Sequence, residues 1–284
     1  MGREKVKMFT YEPDNSLKKG YLSVFSEIVE DISANRWLTY QLFKRDFISL
    51  YKQSFIGVFW SFIIPLVSVG TFVLLNRSGV FAIGPIDAPY AIYGLLGVAL
   101  WQLFSAGLVS GGDALVKAGS MIVMINFSKK SLVLASQGRS IVAFIIQFSL
   151  VLALCVYYRF APSLNVVFLP LLLLPLIVLS VGLGFIFSLL NAVVRDVGNA
   201  LSIVMTFLMF ITPVLYPKPA SGLLALISTY NPLYYLVSVP RDLMLSGTVR
   251  EKSGYILAVF LSLAVSCFCI IVFHLTETRV TERV

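Results

Sequence analysis

The chain has 284 residues, of which 58% are hydrophobic and 13% charged, with a formal net charge of +8. That charged share is about half the soluble norm, and a water-soluble globule of this composition would leave large apolar patches exposed, whereas a bilayer accepts them. The excess of Lys and Arg fits cations held in cytoplasmic loops of a membrane protein, and without a basic patch or a recognisable module it does not point to nucleic acid.

The first 50 or so residues are polar and contain no apolar core near Met1, so no secretory signal peptide is read there and the N-terminus is expected in the cytoplasm. Within this region Arg36–Lys52, RWLTYQLFKRDFISLYK, places Tyr40, Phe43, Phe47 and Leu50 at helical spacing, with Gln41, Arg45, Ser49 and Lys52 opposite. That pattern predicts an amphipathic helix in the membrane interface. It suits a simple anchor or a docking surface for a cytoplasmic partner.

Six apolar runs then approach the length of about 20 residues that a spanning helix needs. They are Phe55–Leu75, Tyr90–Ser110, Ser140–Tyr158, Val166–Leu190, Asn199–Leu215 and Tyr255–Leu275, the fifth being the shortest. The expected fold is therefore an all-α integral membrane protein with six transmembrane helices. Residues 1–54 form a cytoplasmic segment with the interfacial helix, 55–275 the membrane domain and 276–284 a cytoplasmic tail. With the N-terminus inside, nine Lys and Arg precede Phe55 and seven more fall on the inner side, against six on the outer side. The long N-terminal segment counts little in that rule, so the N-in, C-in orientation rests mainly on the missing signal peptide and the amphipathic segment.

Two connections stand out. Gly111–Ser131, between the second and third spans, is amphipathic, helix-compatible and flanked by Lys117, Lys129 and Lys130. Tyr216–Gly254 is interrupted by Pro217, Pro219, Pro232 and Pro240 yet contains the apolar stretches Leu223–Ile227 and Leu233–Val239. Proline at that density excludes one spanning helix. Two short re-entrant helices on the outer side, over 216–247, fit instead, and irregular backbone at that depth is tolerated where it is buried in protein or borders a wet pathway.

Enzymatic chemistry has no foothold. The sequence lacks GxxxxGK[ST], HExxH and GxSxG, and no span carries paired carboxylates. Cys155, Cys267 and Cys269 all lie in apolar runs and read as packing residues. The single histidine, His274, reads as an interfacial side chain. Ion-coupled carriers usually place ionisable groups mid-membrane; here the spans are nearly empty of them, so any transport must draw energy from another subunit. Aromatic residues near the outer half, Tyr90, Tyr93, Trp101, Phe104, Tyr230, Tyr234 and Tyr235, suit interfacial belts, and some could line a route where ring faces contact sugars and phenols hydrogen-bond them.

Several motifs in order resemble one family. Arg45-Asp46 and Tyr51-Lys52-Gln53-Ser54-Phe55-Ile56-Gly57 precede Trp60 and Pro65. Asn191-Ala192-Val193-Val194-Arg195-Asp196-Val197 is followed by Ile211-Thr212-Pro213-Val214-Leu215-Tyr216-Pro217 and Tyr230-Asn231-Pro232-Leu233. Together they are similar to the signatures of ABC-2 type permeases, and more narrowly of the branch that exports O-antigen, capsule and teichoic acid, over about residues 30–275. The resemblance implies a homodimer of six-helix subunits with two copies of a separate ATPase, which carries the ATP and Mg; no cofactor is expected in this chain. It implies ATPase docking on the interfacial helix (Arg36, Trp37, Arg45, Asp46, Lys52) and the first cytoplasmic loop (Asp113, Lys117, Lys129, Lys130), with Arg195 and Asp196 as a lesser contact or as a structural ion pair or helix-end caps. It implies an exit gate built from the re-entrant segment, with Pro213, Tyr216, Tyr230, Asn231, Pro232, Tyr234 and Tyr235, and a lipid-linked glycan as cargo, O-antigen first. An ABC-2 drug or lipid exporter, a membrane-embedded transferase and an ion-coupled carrier are the competing readings.

Overall fold

The computed structural model describes residues 21–52, 59–78, 86, 88–119 and 128–281. The first 20 residues, positions 53–58 of the first signature and first predicted span, the 120–127 part of the first loop and the Lys52 side chain lie outside the described residues. Every regular element among the described residues is helical. In chain order the α-helices are α1 (Tyr21–Ala34), α2 (Arg36–Lys52), α3 (Trp60–Arg77), α4 (Tyr90–Gly112), α5 (Ala114–Ala118), α6 (Lys129–Tyr157), α7 (Leu169–Val193), α8 (Asp196–Ile211), α9 (Leu223–Tyr230), α10 (Pro232–Ser246) and α11 (Lys252–Thr281). A 3-10 turn at Leu164–Phe168 leads into α7.

Four stretches are long and apolar enough to cross a membrane: Tyr90–Gly112, Lys129–Tyr157, Leu164–Val193 and Lys252–Glu277. They coincide with four of the six predicted runs. The other two appear as shorter apolar helices, Phe62–Thr71 within α3 and Asp196–Ile211, which is α8. At 1.5 Å per residue, the 16 residues of α8 rise about 24 Å, short of a hydrocarbon core of about 30 Å.

The bundle is arranged around α4. Its most apolar stretch is 78% buried, against 28–33% for the other three long helices. So α4 is sheathed by protein while α6, α7 and α11 present one side to lipid. Leu95, Leu96, Leu100, Phe104 and Leu108 of α4 meet Val151 of α6 and Leu176 of α7 in one core cluster.

Because lipid is as apolar as these side chains, close backbone approach and buried polar contacts set the packing. Ser180 Oγ donates to Phe104 O at 3.0 Å, Ser266 Oγ to Val178 O at 2.8 Å and Gln147 Nε2 to Gln102 Oε1 at 2.6 Å.

The helices sort their loops into two ends. At one end lie α1, α2, α5, the start of α6 and the finish of α11. At the other lie α9, α10, the start of α4 and the chain reversal before α7. The segment predicted as re-entrant contains two short helices, and both boundaries of the second have a local reason. Asn231 caps α10, its Oδ1 accepting from Leu233 N at 3.0 Å, and Pro232 follows at the first helical position. Gly247 ends α10 at φ +72°, the left-handed conformation that favours glycine.

Candidate coupling face and outer gate

The α2 end presents a rigid polar face. α2 buries Leu38, Leu42 and Phe43 in a small cluster with α6 and α7, Phe43 pressing against the bare Cα of Gly138. This differs from the face read from periodicity. Tyr40 is 57% exposed and Trp37 70% exposed, while Arg45, Asp46 and Ser49 turn toward α5 and α6 and line a cavity of about 190 Å³ with Ser110, Lys117 and Arg139. The reason is tertiary: the glycine on α6 admits Phe43 and fixes the rotation of α2 about its axis.

Charged groups on this face are locally ordered. Arg45 donates through Nε and Nη2 to Asp46 Oδ1 at 2.9 and 2.8 Å. Lys117 reaches Asp113 Oδ2 at 2.9 Å. Asp113 Oδ1 also accepts from Asn191 Nδ2 at 3.0 Å, and Asn191 Oδ1 accepts from Gly198 N at 3.0 Å. One buried amide thus locks the α4–α5 corner to the α7–α8 turn.

Arg195 and Asp196 sit exposed at the start of α8, and no ion pair joins them among the described residues. Asp196 lies in the first helical turn, where a carboxylate is favoured by the helix dipole. Arg36 and Trp37 are both exposed.

Lys130 departs from its expected place on the docking surface. It is 2% exposed, paired to Asp31 Oδ2 at 3.0 Å and to Glu277. Ser128 Oγ donates to the same Asp31 oxygen at 3.2 Å and Lys129 Nζ to Glu277 O at 2.9 Å. His274 lies 3.5 Å from Glu277 Oε1 and 3.8 Å from Glu27 Oε2. The expected loop cation is therefore the centre of a tie between α1, α6 and α11. Burial of an ammonium requires such partners.

At the opposite end the chain from α8 to α10 is pinned to α4. Arg241, 2% exposed, donates from Nη1 to Val214 O at 2.7 Å and to Pro213 O at 3.4 Å. Its guanidinium carbon sits 4.0 Å from the centre of the Tyr93 ring, and Asp242 Oδ1 is 4.0 Å from its Nε. Tyr90 donates to Leu215 O at 2.9 Å. Gly97 lets the Val214 carbonyl lie against α4, at a spot a Cβ would occupy. Asn231 Nδ2 donates to Thr212 Oγ1 at 2.9 Å. The Tyr216 phenol donates to Phe210 O, and burial pushes its pKa above the usual tyrosine value. Lys218 pairs with Glu251 at 3.2 Å and lies over the rings of Tyr234 and Tyr235, 5.1 and 5.9 Å from their centres.

The aromatic residues expected beside a route divide by exposure. Tyr230 is 80% exposed; Tyr90, Tyr216 and Tyr235 are half-buried, with Asn231 and Pro232 beside them, while Pro213 is buried. Tyr93, Tyr234, Trp101 and Phe104 are buried within this chain. Trp101 and Phe104 belong to the α4 core, with ring centres 5.9 Å apart, because α4 is enclosed on nearly all sides. Phe104 borders an apolar cavity of about 240 Å³ with Leu208 and Leu233. Arg241 was not anticipated as a site residue. The signal was available in Val239-Pro240-Arg241-Asp242: a cation set in an otherwise apolar stretch requires buried partners.

These features define a multi-pass helical membrane protein with a stiff charged face at one end and a braced chain reversal at the other. A family model described as ABC-2 type transporter matches residues 38–245, and the chain belongs to that family. Membership implies an ATPase partner and a membrane setting. Among curated relatives, a Myxococcus xanthus protein named O-antigen export system permease protein RfbA is 26% identical over 190 residues, covering 67% of this chain and 72% of the relative. Two Klebsiella pneumoniae proteins of the same name are 24% and 23% identical, covering 71% and 74% of this chain and 78% and 83% of their own length.

Proposed function

We propose that this chain is the permease subunit of an ATP-driven exporter that moves a lipid-linked polysaccharide, O-antigen in the first place, across the bacterial inner membrane. The observation that carries the reading is the family match together with three relatives named as O-antigen export permeases, each aligned over two thirds of this chain or more. In this reading α3 and α8 complete six spans, with both termini in the cytoplasm, and two permease copies work with two ATPase copies that carry ATP and Mg.

The α2 end is the coupling face. Arg36, Trp37, Arg45, Asp46 and Lys52 on α2, and Lys117 with its holder Asp113 on α5, meet the ATPase; Lys129, Arg195 and Asp196 border it. ATP acts by favouring one conformation through contacts that differ between states. A lever works only if it is stiff, and the Asn191–Asp113–Gly198 lock supports that stiffness. The α8–α10 reversal is the exit gate, with Tyr230, Tyr235 and Tyr216 offering ring faces and phenols to passing sugars. Arg45→Glu with Lys52→Glu should abolish export and the coupling of ATPase activity while leaving membrane insertion intact. Normal surface polymer in a correctly inserted double variant rejects the docking role, and unchanged surface glycan after gene deletion rejects the cargo.

A further inference from the structure

The cavity between α2, α5 and α6 contains a cation that has no partner among the described residues. Arg45 is matched by Asp46 and Lys117 by Asp113. Arg139, half-buried on α6 and lining the same cavity, makes no hydrogen bond or ion pair among the described residues. Ser49 and Ser110 add hydroxyls to the wall. Its lining charges are three cations and one carboxylate, Asp46, so the cavity is positive overall. A half-buried guanidinium without a partner is unfavourable near a membrane, and its planar fork is matched to phosphate.

We propose that this cavity binds the phosphate of an anionic phospholipid from the leaflet in which α2 lies. Depth decides in favour of lipid over an acidic side chain of a protein. Ser140–Tyr157, directly after Arg139, holds no charged residue and rises about 27 Å, nearly a full hydrocarbon core. Arg139 therefore stands at headgroup level. The exposed Tyr40 of α2 is an interfacial aromatic at the same level. On the Arg139 face of α6, Val142, Ala143, Ile146 and Leu150 follow at i+3, i+4, i+7 and i+11, all apolar and half-exposed. They form a track for an acyl chain leading away from the bound headgroup. A protein in the aqueous phase meets the outer surface of α2 first.

The test is native mass spectrometry of the full chain in mild detergent, titrated with phosphatidylglycerol or phosphatidylcholine, with inorganic phosphate and glycerol phosphate as soluble competitors. The wild type should retain phosphatidylglycerol over phosphatidylcholine by about tenfold, a difference of about 1.4 kcal/mol. Arg139→Gln should erase that preference, Arg139→Lys should keep part of it, and Lys252→Gln, at the far end of the bundle, should keep all of it. Lys117→Gln, an exposed position that should not disturb folding, should lower it about threefold and decides the matter if Arg139→Gln does not fold. An unchanged preference in Arg139→Gln, or in Lys117→Gln where that variant decides, overturns the site. So does equal retention of the two lipids by the wild type. Displacement of the lipid by millimolar soluble phosphate would mean a free-anion pocket and overturns the lipid assignment. No ATPase or glycan enters the measurement, so its failure leaves the transport reading untouched.

Discussion

Arg241 and Lys130 are buried cations among the described residues, and the loss of either strands polar groups rather than merely removing a contact. Arg241→Met would leave the Val214 and Pro213 carbonyls without their donor. Charge-assisted hydrogen bonds contribute about 1.5–3 kcal/mol, so the variant should lose about 2–3 kcal/mol in detergent unfolding and export poorly. Arg241→Lys should recover little, because an ammonium cannot keep the fork on the carbonyls and also stack on Tyr93. Lys130→Met should cost more, about 3–5 kcal/mol, as two carboxylates are then left facing each other in a buried site. Glu277→Gln together with Lys130→Met should be milder than Lys130→Met alone, measurable by the same unfolding assay. Sequence spacing identified the cationic loop around Lys130 but not its burial. Its acids, Asp31 and Glu277, are 99 and 147 positions away, beyond the reach of any local pattern.

Among the elements, the long apolar helices were the most legible, because a run of spanning length without charges has one stable setting. Four matched to within a turn at most ends; α6 began a full eleven residues before its predicted start, since Lys129–Arg139 packs Leu132, Val133 and Ala135 against α2, α5 and α7 as a continuation of the same helix. The rotation of α2 was not legible. Its aromatic spacing was compatible with a membrane-facing stripe, and only the gap at Gly138 selected Phe43 and Leu42 as the packed side. Proline density marked residues 216–247 as two short helices, which are α9 and α10, and Asn231-Pro232 marked the start of the second. The brace on that segment yields a sharp test at Gly97. Gly97→Ala places a methyl group where the Val214 carbonyl lies, so the reversal must move off α4. The expected outcome is a lower thermal midpoint and strongly reduced polymer export, with normal membrane insertion.

For the whole molecule, composition pointed to the membrane setting and the order of motifs to the family, while the contacts that join the two ends were visible only in the structure. The corner held by Asn191 connects α4, α5, α7 and α8 at the α2 end of the bundle, and α4 and α8 both run to the braced reversal at the other end, so under the proposed function this corner links the coupling face to the gate. Asn191→Ala removes the amide that satisfies Asp113, Gly112 O and Gly198 N. It should loosen the corner and uncouple ATPase turnover from export, with turnover retained in the purified complex and transport into vesicles reduced severalfold. Retained transport in that variant would place the communication elsewhere.

The tie among Asp31, Lys130 and Glu277 has a consequence for biogenesis. Glu277 follows Lys130 by 147 positions, so the ribosome delivers this acid last of the three partners. Completion of α11 is thus the event that closes the tie, and a chain stalled before Glu277 should insert yet offer membrane proteases an open seam.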